Sequence, residues 1–350
     1  MDKKVKDLIL NEPVLSDEQL IFTTRARLAR NIERYPFPHM MNEKQAEKLA
    51  LEVVEAVRDI VNDTCIVIPM ADVDPLTRGL MVERHLISPE FAEDGFGKIL
   101  ILFPRLKLRI LVNEEDHLRI SCYDTDGNLE KTWKVLDAFD CNLGDRIRYA
   151  FDKEFGYLTS CPTNIGSGLR ISSIVFLPVL KATRKIKNIF QLLYKLGCVI
   201  RGFYGEGSPV MANFYQISTG NVLGKTEQEI CEDFEAVISA IRQQEMDSTG
   251  LVNIATVKRN IKIFIDRIFS NVSGEISFDH AINGLSVLLF GKKLGIIHMR
   301  ENLLKRLVYR IMPLSLQFEA GTKLEQVEQE RFRFRILERE LRNANVRAIL

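Results

Sequence analysis

From Lys98 to Tyr123 the chain runs through three short apolar or alternating stretches, residues 98–103, 108–113 and 118–123. They are separated only by Pro104-Arg105 and by Glu114 to His117. Runs this short with turn residues between them read as antiparallel strands. Further strand candidates lie at residues 66–70, 157–162, 172–177, 198–202 and 214–219. Helical periodicity marks residues 43–62, about 129–151, 180–196 and 226–244. The spacing predicts an α+β fold, a largely antiparallel sheet flanked by helices. From Val252 the texture changes: residues 257–269, 278–289, 302–312 and 326–341 all repeat at helical spacing. In the last of these Val327, Phe334, Leu337 and Leu341 form one stripe. We therefore expect a lead segment over 1–22, an α+β domain over 23–248 and an all-helical C-terminal domain over 252–350.

Composition narrows the class. The chain has 350 residues, 46% hydrophobic and 27% charged, an ordinary globular balance. No apolar run approaches the roughly 20 residues of a membrane span, and the first residues are too short of apolar length for a secretory signal. A cytoplasmic protein is expected, with neither a membrane nor a nucleic acid as partner. The six cysteines form no CxxC pair and no zinc spacing, so they read as reduced thiols. Net charge is +1, but the stretch from Gly250 onward is net basic and the remainder net acidic. That asymmetry suits two modules with different partners; it equally suits Lys/Arg-rich solvated helices.

Several segments are more polar than the elements they interrupt: TTRARLAR at Thr23 to Arg30, NEEDHLR at Asn113 to Arg119, CPTNIGSGLR at Cys161 to Arg170, and RGFYGEGS at Arg201 to Ser208. Arg25 and Arg27 alternate, so an extended strand projects both to one face. Phosphoryl transfer needs phosphate charge neutralised and the nucleophile aligned, and arginine's planar fork grips phosphate oxygens in pairs. The chain has no GxxxxGK[ST] loop and no HRD or DFG set. Scattered arginines would have to serve instead, and taken singly they are a weak signal that reads first as ordinary surface or salt-bridged residues.

The ordered strings TTRARLARN, NEEDHLRI, CPTNIGSGLR and RGFYGEGS closely resemble the signatures of the guanidino (phosphagen) kinase superfamily, over roughly residues 20–248. YPFP at Tyr35 to Pro38 and the form RGFYGE resemble its bacterial protein arginine kinase branch. So does the layout, with the first arginine motif at Thr23 and a helical tail after the catalytic region.

The resemblance implies ATP and Mg2+, and it carries roles onto matching positions. Thr23, Thr24, Arg25, Ala26 and Arg27, with Arg119, Arg170 and Arg201, are expected around the ATP phosphates. His85, the stretch Ile171, Ser172, Ser173 and Ile174, and Gly202, Phe203, Tyr204 and Gly205 complete the expected nucleotide site. Glu115 and Glu206 match the carboxylate pair that holds the substrate guanidinium. Cys161 matches a cysteine beside it, and arginines around such a thiol would make it sensitive to oxidation. The chemistry is consistent. A guanidinium, with pKa above about 12, is a poor nucleophile until a carboxylate orients it and takes its proton. His117 reads as structural, and no protein ligands to a metal are expected.

Two departures stand out. Where the superfamily has RASVHI, the chain reads Arg170-Ile171-Ser172-Ser173-Ile174, with Ile174 at the place of a histidine near the adenine. Where protein arginine kinases carry an RDxxRA phosphoarginine motif, it reads from Arg331 to Ile336. Arg331 and Arg335 remain, but Phe332 replaces the aspartate and Ile336 the alanine. A phosphoarginine response is therefore not expected.

The leading reading is a kinase for arginine side chains of proteins with exposed arginines. It would act with an activator or a protease–chaperone system, as a homodimer through the tail. A weakened nucleotide-binding adaptor and a kinase for free arginine are the alternatives.

Overall fold

The computed structural model describes residues 20–58, 60, 65–202, 212–220, 222–270, 273–299, 302–344 and 346. Its centre is an eight-stranded antiparallel sheet. In chain order the strands are β1 (Ile21–Arg30), β2 (Ile66–Pro69), β3 (Ile99–Phe103), β4 (Leu108–Val112), β5 (Leu118–Asp124), β8 (Leu169–Phe176), β9 (Cys198–Arg201) and β10 (Phe214–Thr219). The two-residue strands β6 (Phe151–Asp152) and β7 (Gly156–Tyr157) pair apart from it. The spatial order is β2-β3-β4-β5-β1-β8-β10-β9, which sets β1 in the middle of the sheet.

Alternation along each strand divides its residues between two faces. On one face Ala26, Leu28, Ile110, Ile120 and Ile171 enter a core closed by Leu49 and Val53 of the helix Glu43–Arg58, by Leu136 and Phe139 of Leu129–Gly144, and by Ile230 and Phe234 of Glu227–Asp247. The Glu227–Asp247 helix begins at a capping box, Thr226 with Glu229, which satisfies two otherwise unpaired N–H groups.

The opposite face is covered only at its ends. At one end Leu100, Leu102 and Leu111 pack beneath Leu80, Met81, Leu86 and Phe91. At the other, Phe22, Ile174, Phe176 and Phe214 share a core with the helices Ile254–Ser270, Phe278–Lys293, Leu303–Arg310 and Gln326–Asn343. The helical tail therefore shares its hydrophobic core with the sheet. Polar contacts pin it there: Lys293 pairs with buried Glu245 at 3.0 Å, and Lys305 lies over the Phe22 ring at 4.2 Å. The uncovered middle of this face carries the arginines.

Several elements differ from the sequence expectation. The span 180–196 is two helices, Pro178–Ala182 and Ile186–Lys195, because Arg184 takes a left-handed φ of 60° between them. The helix from Leu129 stops at Gly144, and Phe151 joins a two-residue strand instead. The span 157–162 is mostly not strand; it passes into a 3-10 turn, Pro162–Asn164. The helices Pro75–Glu83 and Pro313–Ala320 were not anticipated. Both are short, and each opens with proline at a first-turn position, where the missing N–H costs nothing.

Candidate functional site

A cleft of ≈ 1190 Å3 opens over the uncovered middle of the sheet. Strand register builds its floor. Arg27 pairs with Ser121 of β5 on one side and Arg170 of β8 on the other, so Arg27 and Arg170 stand side by side. One step along the strand, Arg25 lies between Tyr123 and Ser172. Arg119, next on its strand, projects to the same face, and Arg201 enters from β9. Arg170 is brought in by a glycine-rich turn. Gly168 has φ of 66°, and a Cβ there would meet the Ala29 carbonyl oxygen at 2.6 Å, so only glycine fits.

The turn from Asn113 to His117 supplies the carboxylates. Asn113 adopts φ of 59° and is anchored by its side-chain amide on the carbonyls of Ala46 and Gly97. The Glu114 side chain is only 3% exposed, ion-paired with Arg119 and hydrogen-bonded by the Ser88 hydroxyl. Glu115 is half-exposed and lies 3.4 Å from Arg119. Behind the turn, Asp116 accepts from the Asn31 amide at 2.6 Å and from Ser160 N at 2.7 Å. It thereby ties β1, the carboxylate turn and the Cys161 loop together. His117 is structural, as expected. Its Nδ1 accepts from Ile32 N at 2.9 Å and its Nε2 donates to the Pro36 carbonyl at 2.8 Å, which selects one neutral tautomer. Cys161 lines the cleft with its Sγ 3.0 Å from the Thr163 hydroxyl.

Crowded guanidinium groups shape the electrostatics. Burial, then Arg109, Arg119 and Arg170, push Arg25 down to about 9. Burial, then Arg119, Arg25 and Arg170, push Arg27 well below the usual arginine range. Burial, then Arg25, Arg109 and Arg84, push His85 down to about 3, so its imidazole is neutral at pH 7. Like charges held in a low-dielectric cleft repel one another, and a polyanion lying across them relieves that repulsion.

Of the residues singled out from sequence, Arg25, Arg27, His85, Glu115, Arg119, Cys161, Arg170 and Arg201 line this cleft. Others stand elsewhere. Thr24 and Ala26 face the helix-covered side: Ala26 is core, and Thr24 shares a 2.7 Å hydrogen bond with the Ser173 hydroxyl. Ile171 lies in the same core. Thr23 gives its hydroxyl to the Asp124 carbonyl at 3.3 Å. Ser172 projects to the cleft side but is covered, and Ile174 is enclosed by the helical tail. The physical reason is the period of two along a strand: a contiguous motif cannot put every side chain on one face. Gly202 is buried beside Arg201. Phe203, Tyr204, Gly205 and Glu206 lie outside the described residues.

Sequence reasoning missed Arg109, Glu114 and the cleft wall formed by Phe278, Pro313 and Leu314 of the helical tail. Glu114 could have been found, since it adjoins Glu115. Nothing local marks the other four.

A profile of the family described as "ATP:guanido phosphotransferase, C-terminal catalytic domain" matches residues 46–248. The chain belongs to the ATP:guanido phosphotransferase family. Among its relatives is the protein named "Protein-arginine kinase" of Moorella thermoacetica, 34% identical over 318 residues, 89% of this chain and 91% of that one. Another of the same name, from Bacillus cereus (strain ATCC 10987 / NRS 248), is 35% identical over 351 residues, 96% and 98% of the two chains.

Solved structures of the same fold include the duplicated taurocyamine kinase of Schistosoma mansoni. It has 24% identity and a TM-score of 0.61, with 68% of this chain but only 35% of that one covered. Lombricine kinase matches with 20% identity and a TM-score of 0.59, covering 71% and 72%. The ATP:guanido phosphotransferase fold thus accounts for the sheet that floors the cleft.

Proposed function

We propose that this guanido phosphotransferase transfers the γ-phosphoryl group of ATP to arginine side chains of proteins. The observation that carries the reading is the arginine cluster set directly against Glu114 and Glu115 in one cleft. Polyanion-binding and guanidinium-binding groups stand side by side there. Near-full-length similarity to proteins named protein-arginine kinases supports polypeptide arginine as the acceptor.

In this reading the arginines neutralise the triphosphate and hold it in line with the incoming nitrogen. Glu115 orients the acceptor guanidinium and takes its proton as the N–P bond forms and the bond from the γ-phosphorus to the ADP oxygen breaks. Glu206 remains the expected second carboxylate. Among the described residues no cluster of three or more His, Cys, Asp or Glu side chains could hold a metal ion. In this reading Mg2+ comes with the nucleotide, as the family resemblance implies.

The partners in this reading are proteins with exposed arginines, an activator or protease–chaperone system, and a second copy of the chain. The compartment is the cytoplasm, where ATP is supplied. Among the described residues no helix is long and apolar enough to cross a membrane. Arg331 pairs with Glu275 at 2.9 Å, Phe332 is partly buried and Ile336 is core. These contacts support the expectation that phosphoarginine does not regulate this chain through Arg331 and Arg335.

The test is incubation with ATP and Mg2+ and either an unfolded basic protein or free arginine. Acid-labile phosphate on the protein, lost in Glu115→Gln, is the expected result. Phosphate appearing on free arginine alone would sink the protein-substrate reading.

A further inference from the structure

Arg109 lies outside every string that carries the family resemblance. It is the second residue of β4, where Leu108, Ile110 and Val112 turn into the helix-covered core. Alternation therefore sends Arg109 to the cleft face, where it is only 5% exposed and lines the cleft. Its strand neighbour is Ser121, whose own neighbour on the far side is Arg27. Ser121 is small, so the long arginine can pass over it, and its hydroxyl accepts from Arg109 Nε at 3.2 Å.

The guanidinium leans along the sheet rather than straight across it. Its central carbon is 5.5 Å from the centroid of Tyr123, the residue paired with Arg25. The charge relationships agree with that direction. Among the charges that act on Arg25, Arg109 comes first and Arg119 next; on His85 Arg109 follows Arg25; on Arg27 the first is Arg119. The cleft floor thus has two cationic ends. Arg27 and Arg119 stand beside Glu114 and Glu115, where the acceptor guanidinium belongs. Arg25 and Arg109 stand toward His85.

We propose that Arg109 is a further phosphate-binding residue, gripping the part of the nucleotide remote from the transferred group, its α- and β-phosphates. This deepens the kinase reading and rests on it. A planar fork aligned by a ring and one hydroxyl is already ordered, so little side-chain entropy is lost when phosphate oxygens arrive. Because ADP and ATP share the α- and β-phosphates, both depend on Arg109 alike. The contact is present in ground and transition states, so it acts on nucleotide affinity more than on turnover.

The experiment uses the full chain with Arg109→Ala, Arg109→Gln and Arg109→Lys. Equilibrium binding of Mg-ADP and Mg-ATP is measured by calorimetry at two salt concentrations, beside kcat and KM for ATP. Ala and Gln should weaken both nucleotides by about 10- to 100-fold, the range of one charge-assisted hydrogen-bonded contact. Lys should recover part of that loss, the salt dependence should flatten in the uncharged variants, and KM should move more than kcat. Gln can still bond Ser121 but carries no charge. Binding restored by Gln as fully as by Lys would reduce Arg109 to a structural residue and overturn the proposal. So would Kd values in Ala and Gln within about twofold of the parent, too small for a lost charged contact. If Ala does not fold, the Gln and Lys pair decides alone. A parent protein that binds neither nucleotide would instead overturn the kinase reading itself.

Discussion

Ser315 gives both its backbone N–H and its hydroxyl to one oxygen of Glu83, at 2.7 and 2.6 Å, while Leu314 N–H reaches the other oxygen at 2.8 Å. One carboxylate at the end of the helix Pro75–Glu83 thus caps the helix Pro313–Ala320 of the tail, two residues before His85. Burial outweighs these hydrogen bonds and raises the Glu83 carboxyl above the ordinary glutamate value. Glu83→Ala would leave the Leu314 and Ser315 N–H groups without their acceptor. We expect a loss of about 2–4 kcal/mol in urea denaturation and a higher KM for ATP. An unchanged denaturation midpoint would contradict the capping role.

His85 has a pH signature. Its folded pKa, about 3, lies below the ordinary histidine value of 6.5 because of burial first and then of Arg25, Arg109 and Arg84. Between those values the unfolded chain binds the extra proton and the folded chain does not, so stability rises with pH across that window. The nucleotide-free protein should lose up to about 1.4 kcal/mol per pH unit on acidification below the unfolded pKa. Urea titrations at pH 5 and 7 on the parent and on His85→Gln check this. The variant should show a shallower difference between the two pH values.

Arg30 is 2% exposed and forms an ion pair with Asp140 at 2.7 Å while stacking 3.5 Å from the Tyr157 ring centroid. It also donates to the Ser167 carbonyl at 2.9 Å, at the base of the turn that delivers Arg170. Removing one partner of such a pair strands the other charge. Asp140→Ala should cost about 3–5 kcal/mol, measured by chemical denaturation. Arg30→Lys should cost less but still slow phosphoryl transfer by loosening the Arg170 turn.

Asp116 offers a separation of position from affinity. Asp116→Ala would release Ser160 and Asn31 together, freeing the Cys161 loop from the carboxylate turn. Turnover should fall by about 10- to 100-fold, because misplacement of about 1 Å is costly to an aligned reaction. ADP affinity should hold, since Asp116 does not line the cleft. Calorimetry with ADP beside the phosphorylation assay distinguishes this from general unfolding.

Much of the sheet was legible locally. Residues 98–123 read as three antiparallel strands because their connections are short, and β3, β4 and β5 are those strands. The alternation of Arg25 and Arg27 was equally plain. The motif's apparent continuity was misleading: Thr24, Ala26, Ile171 and Ser173 belong to the same strings yet face the other side of the sheet. Short proline-opened helices such as Pro313–Ala320 carry too little periodicity to be read, and that one forms part of the cleft wall.

What the sequence by itself determined is therefore the chemistry on offer: alternating arginines, an acidic turn, glycine-rich approaches and a helical tail, each encoded within a few residues. What only the tertiary structure decided is which of these meet. Arg109 stands near Arg25 because β4 adds to β5 and β5 to β1 in one particular register. Glu83 meets Ser315 because the tail folds back over the open face of the sheet. Local periods decide which way a side chain points along its own strand or helix. Neighbours across a sheet or between domains depend on strand order and packing, and no local period carries that information.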